Sequence, residues 1–182
     1  MISKLRSKQT LIIATGAIIL LASTGCQRNL AIESEMNKRS LIATMYEKYA
    51  AEFPQVEGVK VEELQQWQRQ GKKIILVDVR SLAERKVSII PGAIAVAEFE
   101  LNIEQYRHSR AIIVTYCTIG YRSGKYAQKL RERGINILNL EGSLLAWSHV
   151  RGKLVNNTGL TNKIHVFSRQ WQLTADSYEP VW

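Results

Sequence analysis

The chain has 182 residues, of which 46% are hydrophobic and 23% are charged. This length and composition leave room for one folded domain with extensions, and they exclude disorder throughout. The formal net charge of +9 at pH 7 suits anionic membrane surfaces or small anionic substrates. Because no recognisable nucleic-acid motif and no concentrated basic run accompany this charge, we do not expect nucleic-acid binding.

The first 26 residues have the pattern of an export signal. A positively charged start precedes an apolar core over residues 11–22 that is too short to span a bilayer comfortably, and small residues precede Cys26. The segment resembles a bacterial lipoprotein signal, although serine stands three positions before the cysteine, where that pattern prefers leucine. The resemblance implies a signal peptide over residues 1–25 and a lipid anchor on Cys26.

Ordinary secretion with cleavage nearby and an uncleaved membrane anchor remain alternatives to lipidation. All three place the folded part outside the cytoplasm, so we expect a membrane-anchored bacterial lipoprotein or, alternatively, a secreted or periplasmic protein. A lipidated Cys26 would leave the second cysteine, Cys117, unpaired. Because exposed thiols of low pKa oxidise readily, a free Cys117 in an oxidising compartment is a liability unless it is functional.

The segment before the core has a helical pattern. Over residues 32–53 the apolar side chains recur at intervals near three and four, and Pro54 ends the run. We assign residues 26–58 to a helical spacer that packs on its own domain, with partner binding as the alternative. The apolar positions are Ile32, Met36, Leu41, Ile42, Met45, Tyr49 and Phe53.

The core alternates predicted strands and helices from residue 59 onward. A short strand over residues 59–61 precedes a helix over 62–70, and residues 74–77 form a continuous apolar run that is typical of a parallel strand buried on both faces. This alternation predicts an α/β fold with a doubly wound parallel sheet flanked by helices. Further elements are expected at 81–85 (helix), 90–94 (turn into a strand), 98–106 (helix or loop), 111–116 (strand), 123–133 (helix), 135–140 (strand) and 144–150 (helix).

The strongest chemical signal lies where the strand over residues 111–116 ends at Cys117. A short loop follows, and its backbone N–H groups lack a strand or helix partner, so they can surround one anionic group. The helix that begins after the loop and the permanent cation of Arg122 both favour the thiolate of Cys117 over its thiol. The alternative is an inert, buried cysteine that serves as a small apolar residue.

The spacing of this loop decides between two kinds of cysteine nucleophile. Cysteine-type protein phosphatases place five residues between the cysteine and the arginine, whereas four separate Cys117 from Arg122. The loop resembles that of the rhodanese family, single-domain sulfurtransferases that carry sulfur as a cysteine persulfide, and Cys117, Gly120, Arg122 and Ser123 match its Cys-x-x-Gly-x-Arg-Ser pattern. The resemblance covers roughly residues 59–150. Its other motifs are Val77-Asp78-Val79-Arg80, Ile90-Pro91-Gly92-Ala93 and the segment from Leu140 to Trp147.

The chain departs from the family pattern at two places. Ser88-Ile89 stand where many rhodaneses have Gly-His, and Ser143 replaces a frequent glycine close to the active loop. The resemblance also favours a structural role for Asp78 and Arg80, and we expect Arg80 to pair with Glu84 in the next turn. The histidine that Ser88-Ile89 lacks is not the nucleophile of the family, whereas Ser143 leaves one less flexible position close to the active loop.

Residues 151–182 form a C-terminal extension beyond the resemblance. Its segment around Ile164 and Val166 predicts a strand or a cover for the core, and residues 156–159 predict a turn. Three aromatic residues of this tail are too apolar to be left wholly in water, and we expect them to fix the tail to the domain rather than to form a binding site. They are Trp171, Tyr178 and Trp182.

The resemblance implies sulfur transfer from thiosulfate or a related small-molecule donor to a thiol or cyanide acceptor through a Cys117 persulfide. Cys117 and Arg122 are the expected catalytic residues. We expect no cofactor and no metal site, since the three histidines lack ligand spacing. Alternatives are a membrane-tethered, noncatalytic sulfur-carrying or sensing module and, less favoured by the short loop, a phosphatase or arsenate reductase. The expected substrate-binding residues are Thr118, Ile119, Gly120, Tyr121 and Ser123.

Overall fold

A computed structural model describes residues 29–182 of the chain, so the predicted export signal and Cys26 lie outside the described residues. The chain divides into two compact units, Met1–Asn37 and Lys38–Trp182. In the first unit, residues 29–37 are described and are helical. Among residues 29–182, no helix combines the length and the apolar character that crossing a membrane requires.

The second unit is built on a five-stranded sheet in which all neighbouring strands run parallel. The two longest strands lie side by side, with Ile74 opposite Ile112 and Asp78 opposite Tyr116. Both are mostly buried, as expected for parallel strands covered on two faces. The predicted α/β fold with a parallel sheet is therefore confirmed. In spatial order the strands are β1 (Gly58–Val59), β5 (Leu138–Leu140), β4 (Ile112–Tyr116), β2 (Ile74–Asp78) and β3 (Ile94–Ala95).

The helices flank this sheet and follow the predicted alternation. Helix α1 covers residues 29–50, and the chain continues through two turn residues to the buried Phe53, three residues beyond the helix end. Helix α3 begins after Ser81, whose side chain accepts from the backbone N–H of Glu84 while the Glu84 carboxylate accepts from that of Ser81, forming a capping box. The other helices are α2 (Val61–Arg69), α3 (Leu82–Val87), α4 (Val96–Leu101), α5 (Ile103–Arg107), α6 (Tyr121–Glu132) and α7 (Ser143–His149).

Two hydrophobic clusters lie in the unit, and successive strand residues belong to different clusters. Leu76 and Val114 belong to one, and Val77 and Ile113 to the other, because neighbouring side chains of a strand point to opposite faces. The first cluster also contains residues from both extensions. These are Ile42 from α1 and Leu154, Ile164 and Val166 from the C-terminal tail.

The C-terminal tail adds two small two-stranded sheets to the domain. Asn156 and Gly159 face each other across a hairpin, which confirms the turn predicted there. Tyr178 donates to the carbonyl of Gly152 at 2.6 Å and packs partly on the main core, as expected, but Trp182 remains 56% exposed. The elements are β6 (Leu154–Asn156), β7 (Gly159–Thr161), β8 (Lys163–His165), a 3₁₀ helix (Arg169–Trp171) and β9 (Glu179–Val181).

The expected ion pair between Arg80 and Glu84 is wrong. Arg80 instead pairs with Asp78, with 2.9 Å between Nε and Oδ1 and 2.6 Å between Nη2 and Oδ2. Both side chains are fully buried, and the hydroxyl of Tyr116 also donates to Asp78. Burial alone would lower the pKa of Arg80, but the hydrogen bonds and charge of Asp78 outweigh it and raise that pKa. Glu84 is engaged elsewhere, by Ser81 and by Arg122.

Candidate active site

Cys117 lies directly after the last residue of β4, at the carboxyl end of a strand inside the parallel sheet. Ligands of open α/β sheets bind at this end of the strands. The loop is short because α6 begins at Tyr121, and Gly120 precedes that helix with φ of 112°. Only glycine adopts this backbone conformation readily, and a Cβ atom at this position would lie 2.6 Å from the ring of Tyr46. Two independent constraints therefore fix glycine at the turn.

The sulfur of Cys117 receives hydrogen bonds from its own loop. The backbone N–H of Gly120 donates to Sγ at 3.1 Å, and the hydroxyl of Ser123 lies 3.5 Å from it. Cys117 is 1% exposed, and burial raises the pKa of its thiol. The hydrogen bonds from Ser123 and Gly120, together with the charge of Arg122, outweigh that burial and lower the pKa. The loop therefore stabilises a thiolate, as nucleophilic chemistry requires.

Arg122 forms a two-pronged ion pair with Glu84. The distances are 2.9 Å from Nη1 to Oε2 and 2.6 Å from Nη2 to Oε1, and Nη2 also lies 3.3 Å from the hydroxyl oxygen of Thr118. Burial raises the pKa of Glu84, but the hydrogen bonds from Arg122 and Ser81 outweigh it and lower the pKa to about 2. Glu84 is therefore ionised at neutral pH and balances the charge of Arg122.

Two further polar side chains hold the loop in position. The hydroxyl of Ser143 accepts from the backbone N–H of Cys117 at 3.1 Å and donates to the carbonyl of Leu140. The amide of Asn139 donates to the carbonyl of Gly120 at 2.9 Å. With that carbonyl held by Asn139, the N–H of Gly120 remains directed at the sulfur. Ser143 and Asn139 are positioning residues of this site.

A cavity of about 370 Å³ lies over Cys117. Four neighbouring residues of the loop segment line it together with the cysteine: Thr118, Ile119, Tyr121 and Arg122. The remaining wall is aromatic and comes from outside the loop. Its members are Tyr49 of α1 and Phe167 and Trp171 of the C-terminal tail.

The chain is similar to known proteins in sequence and in structure. Residues 60–149 match the family model described as Rhodanese-like domain. This stretch of the chain is therefore similar to rhodanese-like domains. A protein named Sulfurtransferase from Allochromatium vinosum is 28% identical over 96 residues, which cover 51% of this chain and 89% of that protein. The family match and this relative together support a sulfurtransferase-type role for the domain.

One solved structure with a TM-score above 0.5 has the same fold. The thiosulfate sulfurtransferase from Pseudomonas aeruginosa superposes with a TM-score of 0.54 at 23% identity, over 71% of this chain. The match covers 25% of that chain, so the present protein spans about a quarter of it. A rhodanese-like domain protein from Staphylococcus aureus is 27% identical, with a TM-score of 0.45, over 50% of this chain and 91% of its own.

The structure brings the predicted loop residues together around one sulfur. Gly120 and Ser123 contact Sγ, while Thr118, Ile119 and Tyr121 line the cavity. Sequence reasoning missed the residues that complete the site. Asn139 is a polar residue inside an apolar strand and Ser143 departs from the family pattern, so both had a local signal in the sequence. No sequence signal linked the other four residues to the loop: Glu84, Tyr49, Phe167 and Trp171.

Within residues 29–182, no group of three or more His, Cys, Asp or Glu side chains is arranged to hold a metal ion. Two of the three histidines have other contacts: a ring nitrogen of His149 lies 2.8 Å from the carbonyl oxygen of Leu173, and His108 lies beside Glu104 on the surface.

Proposed function

We propose that the protein is a sulfurtransferase that carries sulfane sulfur as a persulfide on Cys117. The observation that carries this proposal is the pair of donors on Sγ, the backbone N–H of Gly120 and the hydroxyl of Ser123, beneath an open cavity. The match of residues 60–149 to the rhodanese-like domain supports it. No cofactor is needed, because the sulfur passes from the donor to the Cys117 thiolate and then to the acceptor by nucleophilic attack.

In the proposed first half-reaction, the Cys117 thiolate attacks the outer sulfur of thiosulfate or a related donor. A bond forms between Sγ and the outer sulfur, the S–S bond of the donor breaks, and its electron pair leaves with sulfite when the donor is thiosulfate. The product is the persulfide anion Cys117–S–S⁻, and the charge is conserved. The loop donors that stabilise the thiolate are placed to stabilise this anion as well.

In the second half-reaction, an acceptor thiolate or cyanide attacks the outer sulfur of the persulfide. The S–S bond breaks, the Cys117 thiolate is regenerated, and the acceptor leaves as a persulfide or as thiocyanate. The sulfur atom transferred does not change its oxidation level, so no external oxidant or reductant is required. The expected kinetics are ping-pong.

Intact-protein mass spectrometry of the full chain tests the proposal directly. Incubation with a sulfane donor should add the mass of one sulfur atom at Cys117, and cyanide should then remove it. Cys117→Ser should add none while its circular dichroism and unfolding midpoint stay close to those of the wild type, because the change is nearly isosteric. Absence of the adduct with thiosulfate and with organic sulfane donors would refute the proposal.

A noncatalytic sulfur-carrying or sensing module is the second candidate. The burial of Cys117, which is 1% exposed, favours it, because a buried sulfur protects a persulfide from solvent. Single-turnover and multiple-turnover assays separate the two functions. A carrier would form the persulfide once and release it slowly to small acceptors, whereas an enzyme would cycle with thiosulfate and cyanide at a rate set by both substrates.

The phosphatase and arsenate reductase alternatives are less supported. Glu84 balances the charge of Arg122, and Glu84 and Thr118 together engage three of its five N–H donors, so Arg122 is poorly placed to hold a phosphate. Four residues between Cys117 and Arg122 also give a shorter loop than the phosphatase pattern. Turnover of a phosphate ester without sulfur transfer would reverse this ranking.

We also propose that a lipid on Cys26 anchors the protein outside the cytoplasm of a bacterium. The support is the sequence pattern of the first 26 residues. In the chain isolated from membranes, the intact mass should lack residues 1–25 and carry a lipid at Cys26. Cys26→Ser should release the protein from the membrane. Retention of Cys26→Ser in the membrane would favour an uncleaved anchor, and an unmodified, soluble wild-type chain would favour secretion.

A further inference from the structure

The cavity over Cys117 has walls that an inorganic donor does not need. Tyr49 lies 5.2 Å from Tyr121 between ring centroids, at an angle of 59°, and Trp171 of the tail lines the same cavity. The volume, about 370 Å³, lies in the range of small-molecule sites. Aromatic side chains of this kind supply apolar contact area with defined geometry. The walls therefore fit a compact apolar group.

The charge at the cavity is nearly balanced by the protein itself. Among the lining residues in the described part of the chain, Arg122 carries the one positive charge, and both of its terminal nitrogens bind Glu84. The centre of the Phe167 ring lies 5.7 Å from Cζ of Arg122. With the Cys117 thiolate also present, a doubly charged anion would lose hydration here and find no uncompensated cation.

We infer that the preferred sulfur donor is an organic sulfane-sulfur compound with at most one negative charge and a compact apolar body. That body would lie among Tyr49, Tyr121 and Trp171, with the outer sulfur directed at Sγ of Cys117. The inference rests on the proposed sulfur transfer and specifies its substrate class. Two of the residues that would select the donor belong to segments outside the rhodanese-like domain, namely Tyr49 and Trp171.

A thiosulfonate of the form R–SO₂–S⁻ represents this class. The Cys117 thiolate attacks its outer sulfur, a bond forms between Sγ and that sulfur, and the bond to the sulfonyl sulfur breaks. The electron pair leaves with the sulfinate R–SO₂⁻, and Cys117–S–S⁻ remains, so atoms and charge balance without a further reactant. The R group takes no part in the chemistry and can report on the cavity walls alone.

Three donors compared on the full chain test the inference, with cyanide as the acceptor. Benzenethiosulfonate and methanethiosulfonate carry the same reacting group and the same single charge but differ in the apolar body, and thiosulfate carries two charges. We expect kcat/KM for benzenethiosulfonate to exceed that for methanethiosulfonate by at least about tenfold. Thiosulfate should be the poorest of the three donors.

Two variants test whether the cavity walls cause the preference for benzenethiosulfonate over methanethiosulfonate. Trp171→Ala should lower kcat/KM for benzenethiosulfonate about tenfold while changing that for methanethiosulfonate less than about twofold. Phe167→Ala should shift the same ratio in the same direction, and because Phe167 is 68% exposed its loss leaves the fold intact. Trp182→Ala is the matched control, since this tryptophan of the same tail is not among the residues that line the cavity.

The outcomes separate this inference from the proposed function. Equal use of all three donors, or a preference for thiosulfate, would overturn the inference while sulfur transfer stands. A loss that is the same for both thiosulfonates in Trp171→Ala and Phe167→Ala would also overturn it, because the aromatic walls would then not contact the R group. No persulfide with any donor would overturn both.

Discussion

The two groups that donate to the sulfur of Cys117 lie within six residues of it in the chain. The N–H of Gly120 and the hydroxyl of Ser123 reach Sγ directly, whereas Ser143 and Asn139 act on the backbone that carries them. Hydrogen bonds to the charged form lower the pKa of an acid, and burial without them raises it. The thiolate at Cys117 is therefore a property of its donors more than of its burial.

Ser123→Ala tests whether the Ser123 hydroxyl lowers the pKa of Cys117. Removing this donor should raise the pKa of Cys117 toward its ordinary value, because burial is then opposed by fewer hydrogen bonds. The measurement is the rate of alkylation by iodoacetamide as a function of pH, whose midpoint should move upward from that of the wild type. Ser177→Ala, at an exposed site of the tail, should leave the midpoint unchanged. An unchanged midpoint in Ser123→Ala would mean that the 3.5 Å contact has no electrostatic role.

One carboxylate joins two elements of the site. Glu84 lies in the first turn of α3, where it caps the helix with Ser81, and it also holds Arg122 of α6. Glu84 and Arg122 are 38 positions apart in the chain, so the pair links distant segments. This contact ties the start of α6, and thereby the loop that ends at Gly120, to α3.

Glu84→Gln tests this link, because glutamine preserves the capping pattern and removes the charge. We expect the variant to lose about 1–3 kcal/mol of unfolding free energy at neutral pH. The pKa of Glu84 is lowered in the folded state from 4.5 to about 2, so its contribution is complete above pH 4.5 and is lost as the pH falls toward 2. Urea unfolding should therefore show a wild-type advantage that narrows across this window.

Glu100→Gln provides the matched control for that variant. Glu100 pairs with Arg133 on the surface, with 46% and 35% of the Arg133 and Glu100 side chains exposed, and we expect a cost below about 1 kcal/mol.

Glu84→Gln should also lower the KM for thiosulfate about fivefold, since Arg122 then offers an unbalanced charge. If stability were lost at neutral pH without any change in this KM, Glu84 would be structural only.

The regular elements were predictable because their signals are local. The apolar run before Cys117 and the glycine after it predicted the strand, the loop and the helix of the site, with boundaries within two residues. The strand predicted over residues 135–140 begins only at Leu138, because Ile135 and Ile137 are buried without pairing. Burial produces the same apolar pattern whether or not a residue joins the sheet.

The partners of the site were not predictable in the same way. Arg80 is only four residues from Glu84 in the sequence, but it pairs with Asp78, which is two residues from it. Glu84 pairs instead with the distant Arg122. Tyr49, in turn, lies on the first helix, far from the loop it reaches. Such contacts depend on how whole segments pack, and no spacing within one segment records them.

The folded unit extends in both directions beyond residues 60–149, the stretch that matches the rhodanese-like family model. Ile42 of α1 and Ile164 of the tail belong to the same buried cluster as Val114 of the central sheet. A bridge between Ile89 and Val155 further ties the tail to the domain. Residues on either side of this stretch therefore complete its core. The cavity-wall residues Tyr49 and Trp171 pack against the same buried cluster.

Ile164→Ala tests the contribution of the tail. Ile164 is fully buried, so its truncation should lower the unfolding free energy by about 2–5 kcal/mol. Leu160→Ala, in the same tail but 76% exposed, should change it by no more than about 0.5 kcal/mol. Urea unfolding monitored by tryptophan fluorescence measures both. Equal, small effects would show that the tail folds apart from the domain.

The packing of the N-terminal extension on α6 gives a prediction for the whole folded unit. Gly124 lies within α6, and a Cβ atom there would be 2.7 Å from the ring of Phe53. Gly124→Ala should therefore destabilise the protein by about 1–3 kcal/mol, although alanine is the better helix former by about 1 kcal/mol. Phe53→Leu removes the ring and should cost less than about 1.5 kcal/mol by itself.

Combining the two substitutions decides whether the contact exists in solution. With the ring absent, the added methyl group has room, so the double variant should be more stable than the sum of the single effects predicts, by about 1–2 kcal/mol. Because the interaction energy is obtained from four unfolding curves, effects of either substitution on its own surroundings cancel. Additivity within about 0.5 kcal/mol would show that Phe53 does not pack against Gly124, and that the N-terminal extension does not brace the helix that begins at the active loop.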